Sequence, residues 1–117
     1  MKVVTTTELM ALPAGTFFHE WKPCYFGDMC IKGDTILHGD VPRDWWEQVV
    51  PWVGGCDRED DGLFGLDNGL DVPVDLDCEG RDGIFDDARR FAVWSLDDMR
   101  VLRDRITKAI ESIEGAR

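Results

Sequence analysis

Residues 90–115, with the sequence RFAVWSLDDMRVLRDRITKAIESIEG, decide the fold. The first five, 90–94, are mostly aromatic or β-branched, which favours a β-strand. Ser95 and Asp98 then form a capping-box pattern, in which a hydroxyl and a carboxylate satisfy free backbone N–H groups at a helix start. Apolar residues follow at the spacing of one helix face: Leu96, Met99, Leu102, Ile106, Ala109, Ile110 and Ile113. We therefore predict a strand followed by a long helix at residues 95–114, with its apolar stripe packed in the core.

Shorter elements are predicted upstream of this helix. Thr5 and Glu8 form a second capping-box pattern, which predicts a short helix that ends at Pro13. β-branched and aromatic residues predict strands within three segments: residues 16–21, 24–32 and 44–52. The last segment fits a short helix as well, and we favour the strand because Trp and Val are frequent on pleated surfaces. The prediction is a single α+β domain, residues 1–117, with a small antiparallel β-sheet packed against the long C-terminal α-helix and a short N-terminal helix.

Charge is concentrated in one segment of the chain. The sequence has 117 residues, with 24 acids and 13 bases, and its formal net charge is −11. Residues 57–87 hold twelve of the acids and two of the bases, a net charge of −10, so the rest of the chain is nearly neutral at −1. Direct binding to nucleic acid or to an anionic membrane needs the opposite sign, so neither is a predicted partner.

The sequence contains no recognisable motif for catalysis, a cofactor or a metal. Its four cysteines are Cys24, Cys30, Cys56 and Cys78. Their spacings are long and irregular, without a CxxC pair, which argues against structural zinc. A phosphate-binding loop, a nucleophile elbow, an HExxH motif, a membrane-spanning apolar run and an apolar leader are also absent. We therefore predict a cytoplasmic protein with reduced thiols that is not an enzyme and holds no cofactor or metal.

The acidic segment, residues 57–87, has two parts with different patterns. Residues 57–69 are rich in Gly and Asp and predict a loop. In residues 71–79 apolar residues alternate with charged ones, which is typical of a half-buried strand, and Pro73 confines such a strand to the edge of a sheet. Carboxylates on one face of this predicted acidic edge strand would lie about 6.6–6.8 Å apart.

A rigid row of carboxylates is similar in charge to a row of phosphates. A Lys- and Arg-rich protein surface that normally holds nucleic acid would therefore accept the acidic strand instead. Because a strand is already ordered, binding would avoid the entropic cost of ordering a flexible tail. The predicted contact residues are Asp71, Asp75, Asp77, Glu79 and Asp82, with outer charges at Asp57, Glu59, Asp60, Asp61, Asp86 and Asp87.

The residues around this segment resemble those of small acidic proteins encoded by phages and prophages. The resemblance is carried by RDGIFDD at residues 81–87, by residues 91–94 with the closing helix, and by residues 12–16 and 30–34. Among such proteins, several anti-CRISPR inhibitors resemble DNA in charge and block the Lys- and Arg-rich sites of Cas proteins. The resemblance implies a viral inhibitor that acts by DNA mimicry on a Cas effector subunit in the cytoplasm of a bacterial host, and it assigns no site residue.

Two other functions fit the same residues. The first is a calcium-binding loop, because residues 75–86 place acids at positions 1, 3, 5 and 12 of a twelve-residue loop and Gly80 at position 6. Asp82 at the usually apolar position 8 and Asp86 in place of a glutamate argue against calcium. The second is a small phage accessory or structural protein whose acidic segment keeps it soluble and protects an edge strand from aggregation.

Overall fold

Residues 1–56 and 59–116 are described by the computed structural model of the chain. In chain order their elements are β1 (Lys2–Thr5), α1 (Thr6–Met10), β2 (Phe17–Lys22), β3 (Tyr25–His38), β4 (Val41–Val50), α2 (Glu59–Asp67), β5 (Gly80–Arg81), β6 (Arg90–Val93) and α3 (Leu96–Gly115). Within these residues the six strands form one antiparallel sheet in the order β1-β6-β2-β3-β4-β5. The predicted α+β class, with an antiparallel sheet, a short N-terminal helix and a long C-terminal helix, is confirmed.

Both predicted capping boxes are formed. The backbone N–H of Glu8 donates to the Thr5 hydroxyl at 3.1 Å, and the N–H of Thr5 donates to the Glu8 carboxylate at 3.1 Å. The same exchange joins Ser95 and Asp98, at 2.9 and 3.0 Å. These bonds satisfy N–H groups that have no partner within their helix, so α1 and α3 begin where the sequence predicts.

The core lies between the sheet and α1. Its buried residues are Val4, Leu9, Met10, Phe18, Cys30, Trp45, Phe91 and Val93. At its centre the rings of Phe18, Trp45 and Phe91 meet edge to face with centroids 5.6–6.4 Å apart, which is an arrangement that aromatic pairs prefer. Trp45 belongs to β4, so the strand predicted within residues 44–52 is confirmed.

Strand β3 is longer than the segment predicted within residues 24–32. It continues to His38 through an irregularity in its pairing with β4 after Lys32. The Lys32 ammonium is buried there and donates to the Gly33 carbonyl at 3.0 Å and to the Thr35 hydroxyl at 2.8 Å. Because these local bonds satisfy the ammonium inside the fold, the strand continues where glycine and aspartate would otherwise favour a turn.

Helix α3 carries its apolar stripe on the outside. No residue of α3 is buried. Four stripe residues are each at least 50% exposed: Leu96, Ile106, Ile110 and Ile113. The prediction that this stripe packs in the core is therefore wrong. Leu9 and Met10 of α1 fill the core beside the sheet instead, and helical spacing shows which face is apolar but not what covers it.

The first part of the acidic segment is a helix and not the predicted loop. Glu59–Asp67 form α2. Gly62 is one of the glycines that favoured the loop prediction. It allows α2 to pack closely against Gly54, because a Cβ atom at position 62 would lie 2.8 Å from the Gly54 backbone nitrogen. Asp57 and the side chain of Glu59, both predicted outer charges, lie outside the described residues.

The second part, residues 71–79, does not form the predicted edge strand. Its pairing is limited to an isolated bridge between Val74 and Val53, and β5 is the strand at this edge of the sheet. Two local features compete with a regular ladder. A proline removes one N–H donor, and the carboxylate of Asp75 accepts the N–H of Asp77 at 2.9 Å.

Candidate functional site

The exposed carboxylates of the acidic segment form the candidate site. Seven predicted contact residues are exposed: Asp60, Asp61, Asp71, Asp77, Glu79, Asp86 and Asp87. Asp75 is half-buried. Within the described residues, no ion pair of 4.0 Å or less involves Asp71, Asp75, Asp77 or Glu79. We name these four residues the acidic face.

Two backbone hydrogen bonds hold the acidic face against the sheet. The N–H of Asp75 donates to the Trp52 carbonyl at 2.8 Å. The N–H of Cys78 donates to the buried side-chain oxygen of Gln48 at 2.5 Å. Asp77 lies between these two bonds, and its own N–H is held by the carboxylate of Asp75. These individual hydrogen bonds fix the backbone of residues 75–78, which the predicted strand pairing would otherwise have done.

The carboxylate of Glu79 lies beside Gly33 of β3. A Cβ atom on Gly33 would lie 2.7 Å from a carboxylate oxygen of Glu79 and 2.9 Å from the Cβ of Trp46. Contacts this short would force one of these groups to shift, so glycine at position 33 leaves the room that the Glu79 carboxylate occupies. Glu79 and Glu47 line the same small cavity of about 150 Å³, which places a second carboxylate beside the acidic face.

The structure places the side chain of Asp82 inside the protein. Arg89 donates to its carboxylate with an Nη1–Oδ2 distance of 2.7 Å, and the Asp82 side chain is 4% exposed. Arg89 also donates to the carboxylate of Glu20. Burial lowers the pKa of Arg89, but its bonds to the two carboxylates outweigh burial and hold that pKa above its ordinary value. Asp82 therefore belongs to a buried ion-pair network, and we remove it from the predicted contact residues.

A second buried carboxylate, that of Asp44, is bonded to Arg81, which follows the acidic face in the chain. Its Oδ2 accepts from the Nε of Arg81 at 3.2 Å, and its Oδ1 accepts from the N–H groups of Trp45 at 2.9 Å and Gly83 at 3.0 Å. The side chain of Asp44 is 1% exposed. Arg81 and Arg89 are each bonded to a buried carboxylate, and neither forms an ion pair of 4.0 Å or less with the acidic face.

A cavity of about 580 Å³ opens beside these ion pairs. Four carboxylates line it: Glu20, Asp28, Glu47 and Asp82. Burial and then the charge of Asp82 raise the pKa of Glu47, although Trp45 donates to its carboxylate at 2.9 Å. Sequence reasoning missed Glu20, Asp28 and Glu47 because they come from β2, β3 and β4, and no local spacing connects them.

Within residues 1–56 and 59–116, no group of three or more His, Cys, Asp or Glu side chains could hold a metal ion. The calcium alternative requires residues 75–86 to form one loop. Instead, Gly80–Arg81 pairs with β4 as strand β5, and Asp82 is bonded to Arg89. The calcium loop is therefore not formed.

A second surface, which is apolar, lies where α3 begins. A cavity of about 660 Å³ is lined there mainly by apolar residues, among them Leu12, Val93, Trp94, Leu96 and Met99. The last two of these residues also belong to the exposed stripe of α3. Sequence reasoning missed this surface because it assigned the whole stripe to the core.

Among the described helices, none combines the length and the apolar character needed to cross a membrane. No family model, curated protein or solved structure matches the chain.

Proposed function

We propose that this protein is a non-enzymatic inhibitor of the anti-CRISPR type, which uses its acidic face to occupy a nucleic-acid-binding surface rich in Lys and Arg on a Cas effector subunit. The observation that carries the proposal is the acidic face, whose four carboxylates form no ion pair of 4.0 Å or less within the described residues and whose backbone is hydrogen-bonded at Asp75, Asp77 and Cys78. The resemblance of residues 81–87, of residues 91–94 with the closing helix, and of residues 12–16 and 30–34 to small acidic phage proteins supports the choice of target.

The distribution of charge supports a basic partner. Residues 57–87 have a net charge of −10, and Arg81 within them is committed to the buried Asp44. The exposed side chains of Asp60, Asp86 and Asp87 extend the negative surface beyond the acidic face. Such a surface attracts a complementary partner over a distance and accelerates association more than it strengthens the final complex.

The hydrogen bonds around Asp75 and Cys78 support a specific complex and not a diffuse attraction. A segment that is ordered before binding loses less conformational entropy when the partner arrives. No strand forms at residues 71–79, so the regular carboxylate row is absent. The proposed mimicry therefore depends on the density and position of the charges, and not on a repeat that matches the spacing of phosphates.

Competition with DNA tests this function. Purified CRISPR effector complexes of several types, each loaded with its guide RNA, would be mixed with labelled target DNA and increasing amounts of the protein. We expect the DNA-bound fraction of at least one effector to fall as the protein is added, and excess unlabelled target DNA to displace the protein from that effector. Undiminished DNA binding by every effector at saturating protein would reject the proposal.

The exposed stripe of α3 favours a second candidate function, that of a small phage accessory or structural protein which assembles through apolar contacts. Salt separates the two candidates, because screening weakens a complex between exposed charges and has little effect on apolar contacts. A partner retained equally at 0.1 and 1 M NaCl would favour the structural role. A partner released as salt rises would favour the inhibitor.

A further inference from the structure

Two cysteines from distant parts of the chain meet beside the acidic face. The Sγ atoms of Cys56 and Cys78 lie 2.7 Å apart, and both residues are free thiols. Cys56 is exposed and Cys78 is buried. The contact is therefore between a thiol that is exposed to a reagent in solution and a thiol that is largely shielded from it.

Local turns and hydrogen bonds hold these two thiols together. The antiparallel bridge between Val53 and Val74 alone would place Cys56 and Cys78 on opposite sides of it. Gly54 and Gly55 follow Val53 with φ angles of +88° and +83°. Beyond them the thiol of Cys56 donates to the carbonyl of Asp77 at 3.5 Å, and the N–H of the next residue, Cys78, donates to Gln48. The approach of the sulfur atoms is thus set by the fold around them and does not depend on a flexible side chain alone.

We propose that Cys56 and Cys78 form a disulfide when the folded protein meets a small-molecule disulfide such as oxidised glutathione. The Cys56 thiol loses its proton and attacks one sulfur of the reagent, whose S–S bond breaks and releases the first glutathione thiolate. The Cys78 thiol then loses its proton and attacks the Cys56 sulfur, and the second glutathione thiolate leaves. Two protein thiols are oxidised, one glutathione disulfide is reduced, and the two protons pass to the two released thiolates.

The environments of the thiols set the order of these steps. Cys56 reacts first because it is exposed, and the thiolate is the attacking species in such exchange. The hydrogen bond with Cys56, and then burial, raise the pKa of Cys78 to about 12. Cys78 therefore acts as the resolving thiol, once the mixed disulfide on Cys56 has removed that hydrogen bond and placed an electrophilic sulfur beside it.

The disulfide would enclose residues 57–77, which contain α2 and most of the acidic face. A cross-link of this kind restricts the conformations of the enclosed segment. Oxidation would then hold Asp71, Asp75 and Asp77 more rigidly, a consequence for binding that rests on the proposed function. Formation of the disulfide does not rest on it.

The experiment uses the full chain with Cys24→Ser, which removes the other exposed thiol. This protein has three thiols, and we expect the count to fall to one after exposure to oxidised glutathione under native conditions. Trypsin digestion without reductant should then yield residues 44–58 joined to residues 59–81. In the matched Cys24→Ser/Cys56→Ser control, no such linked pair should appear.

Three results would overturn the inference, and none depends on a binding partner. They are an unchanged thiol count, a mixed disulfide of glutathione that persists on Cys56, and a linkage that includes Cys30. Inhibition assays are separate from this readout. If the protein did not inhibit any effector, a mapped disulfide would still support this inference, and if no disulfide formed, inhibition could still be observed.

Discussion

The guanidinium of Arg89 donates to the carboxylate of Asp82 at 2.7 Å in a place where both side chains are withdrawn from water, at 14% and 4% exposure. The same guanidinium lies 5.0 Å from the centroid of the Phe91 ring. The contact joins the end of the acidic segment to the aromatic core. One aspartate of a strongly charged segment thus stabilises the fold, while its neighbours face the solvent.

This ion pair predicts that alanine substitution will change the free energy of unfolding very differently at two aspartates of similar sequence context. Asp82→Ala should lower the free energy of unfolding by about 3 kcal/mol, because it leaves a buried guanidinium without one of its partners. Asp87→Ala removes an exposed carboxylate and should change stability by less than about 0.5 kcal/mol. Urea unfolding followed by tryptophan fluorescence measures both. Equal effects would show that the Arg89–Asp82 contact does not stabilise the fold.

Glu47 predicts a pH-dependent loss of stability. Its pKa is raised in the folded protein, first by burial and then by Asp82, so the folded state keeps a proton that the unfolded state releases. The contribution of Glu47 to stability should therefore be fully present below the ordinary value of 4.5 and should be lost as pH rises through the raised pKa. Glu47→Gln has no carboxylate to ionise, so the variant should gain stability over the wild type as pH rises from 4.5 to 8. Urea unfolding across this pH range tests it, and a constant difference at every pH would contradict the assignment.

The position of α3 predicts unequal costs for two apolar substitutions. Phe91→Ala should destabilise the protein by about 3–5 kcal/mol, because its ring is fully buried between Phe18 and Trp45. Ile110→Ala should change stability by less than about 0.5 kcal/mol, because the side chain is 50% exposed. Thermal unfolding followed by circular dichroism compares the two. A large cost for Ile110→Ala would mean that the stripe is covered after all.

Gly33 predicts a steric requirement at the acidic face. Gly33→Ala would place a Cβ atom against both the Glu79 carboxylate and the Cβ of Trp46, and the strain should cost about 1–3 kcal/mol. Gly80→Ala is a matched control, since no atom lies within 4 Å of its added Cβ. Chemical unfolding should separate the two variants. If both behave like the wild type, the side chains around position 33 relax at no cost.

Local signals account for what the sequence predicts correctly. The capping boxes at Thr5 and Ser95 lie within single turns of helix, so four residues suffice to recognise each. Strand β4 is also predicted, because its tryptophan and valine side chains favour a pleated surface. The acidic face is predicted in composition, since Asp71 and Asp77 are exposed, as the alternating pattern implies, and Asp75 is half-buried.

Contacts between distant residues account for what the sequence does not predict. The burial of Asp82 depends on Arg89 and Glu20, which approach it only when β2 and β6 pair. Residues 71–79 alternate between apolar and charged side chains as a strand would. The N–H of Asp77, however, donates to the carboxylate of Asp75 and not to a neighbouring strand. The spacing of the apolar residues in α3 identifies one apolar face of the helix, but it does not show whether another element covers that face.

The central claim is that the acidic face makes the contact with the partner, and one comparison of dissociation constants tests it most directly. The variant Asp75→Asn/Asp77→Asn/Glu79→Gln removes three charges from the face while the amide at position 75 still accepts the backbone N–H that Asp75 holds. The control Asp40→Asn/Glu111→Gln/Glu114→Gln removes three charges from exposed sites elsewhere. On the effector whose DNA binding the protein blocks, we predict that the first variant binds at least about tenfold more weakly than the wild type and that the control stays within about twofold. Equal dissociation constants for the first variant and the wild type, or equal weakening by both variants, would contradict the claim.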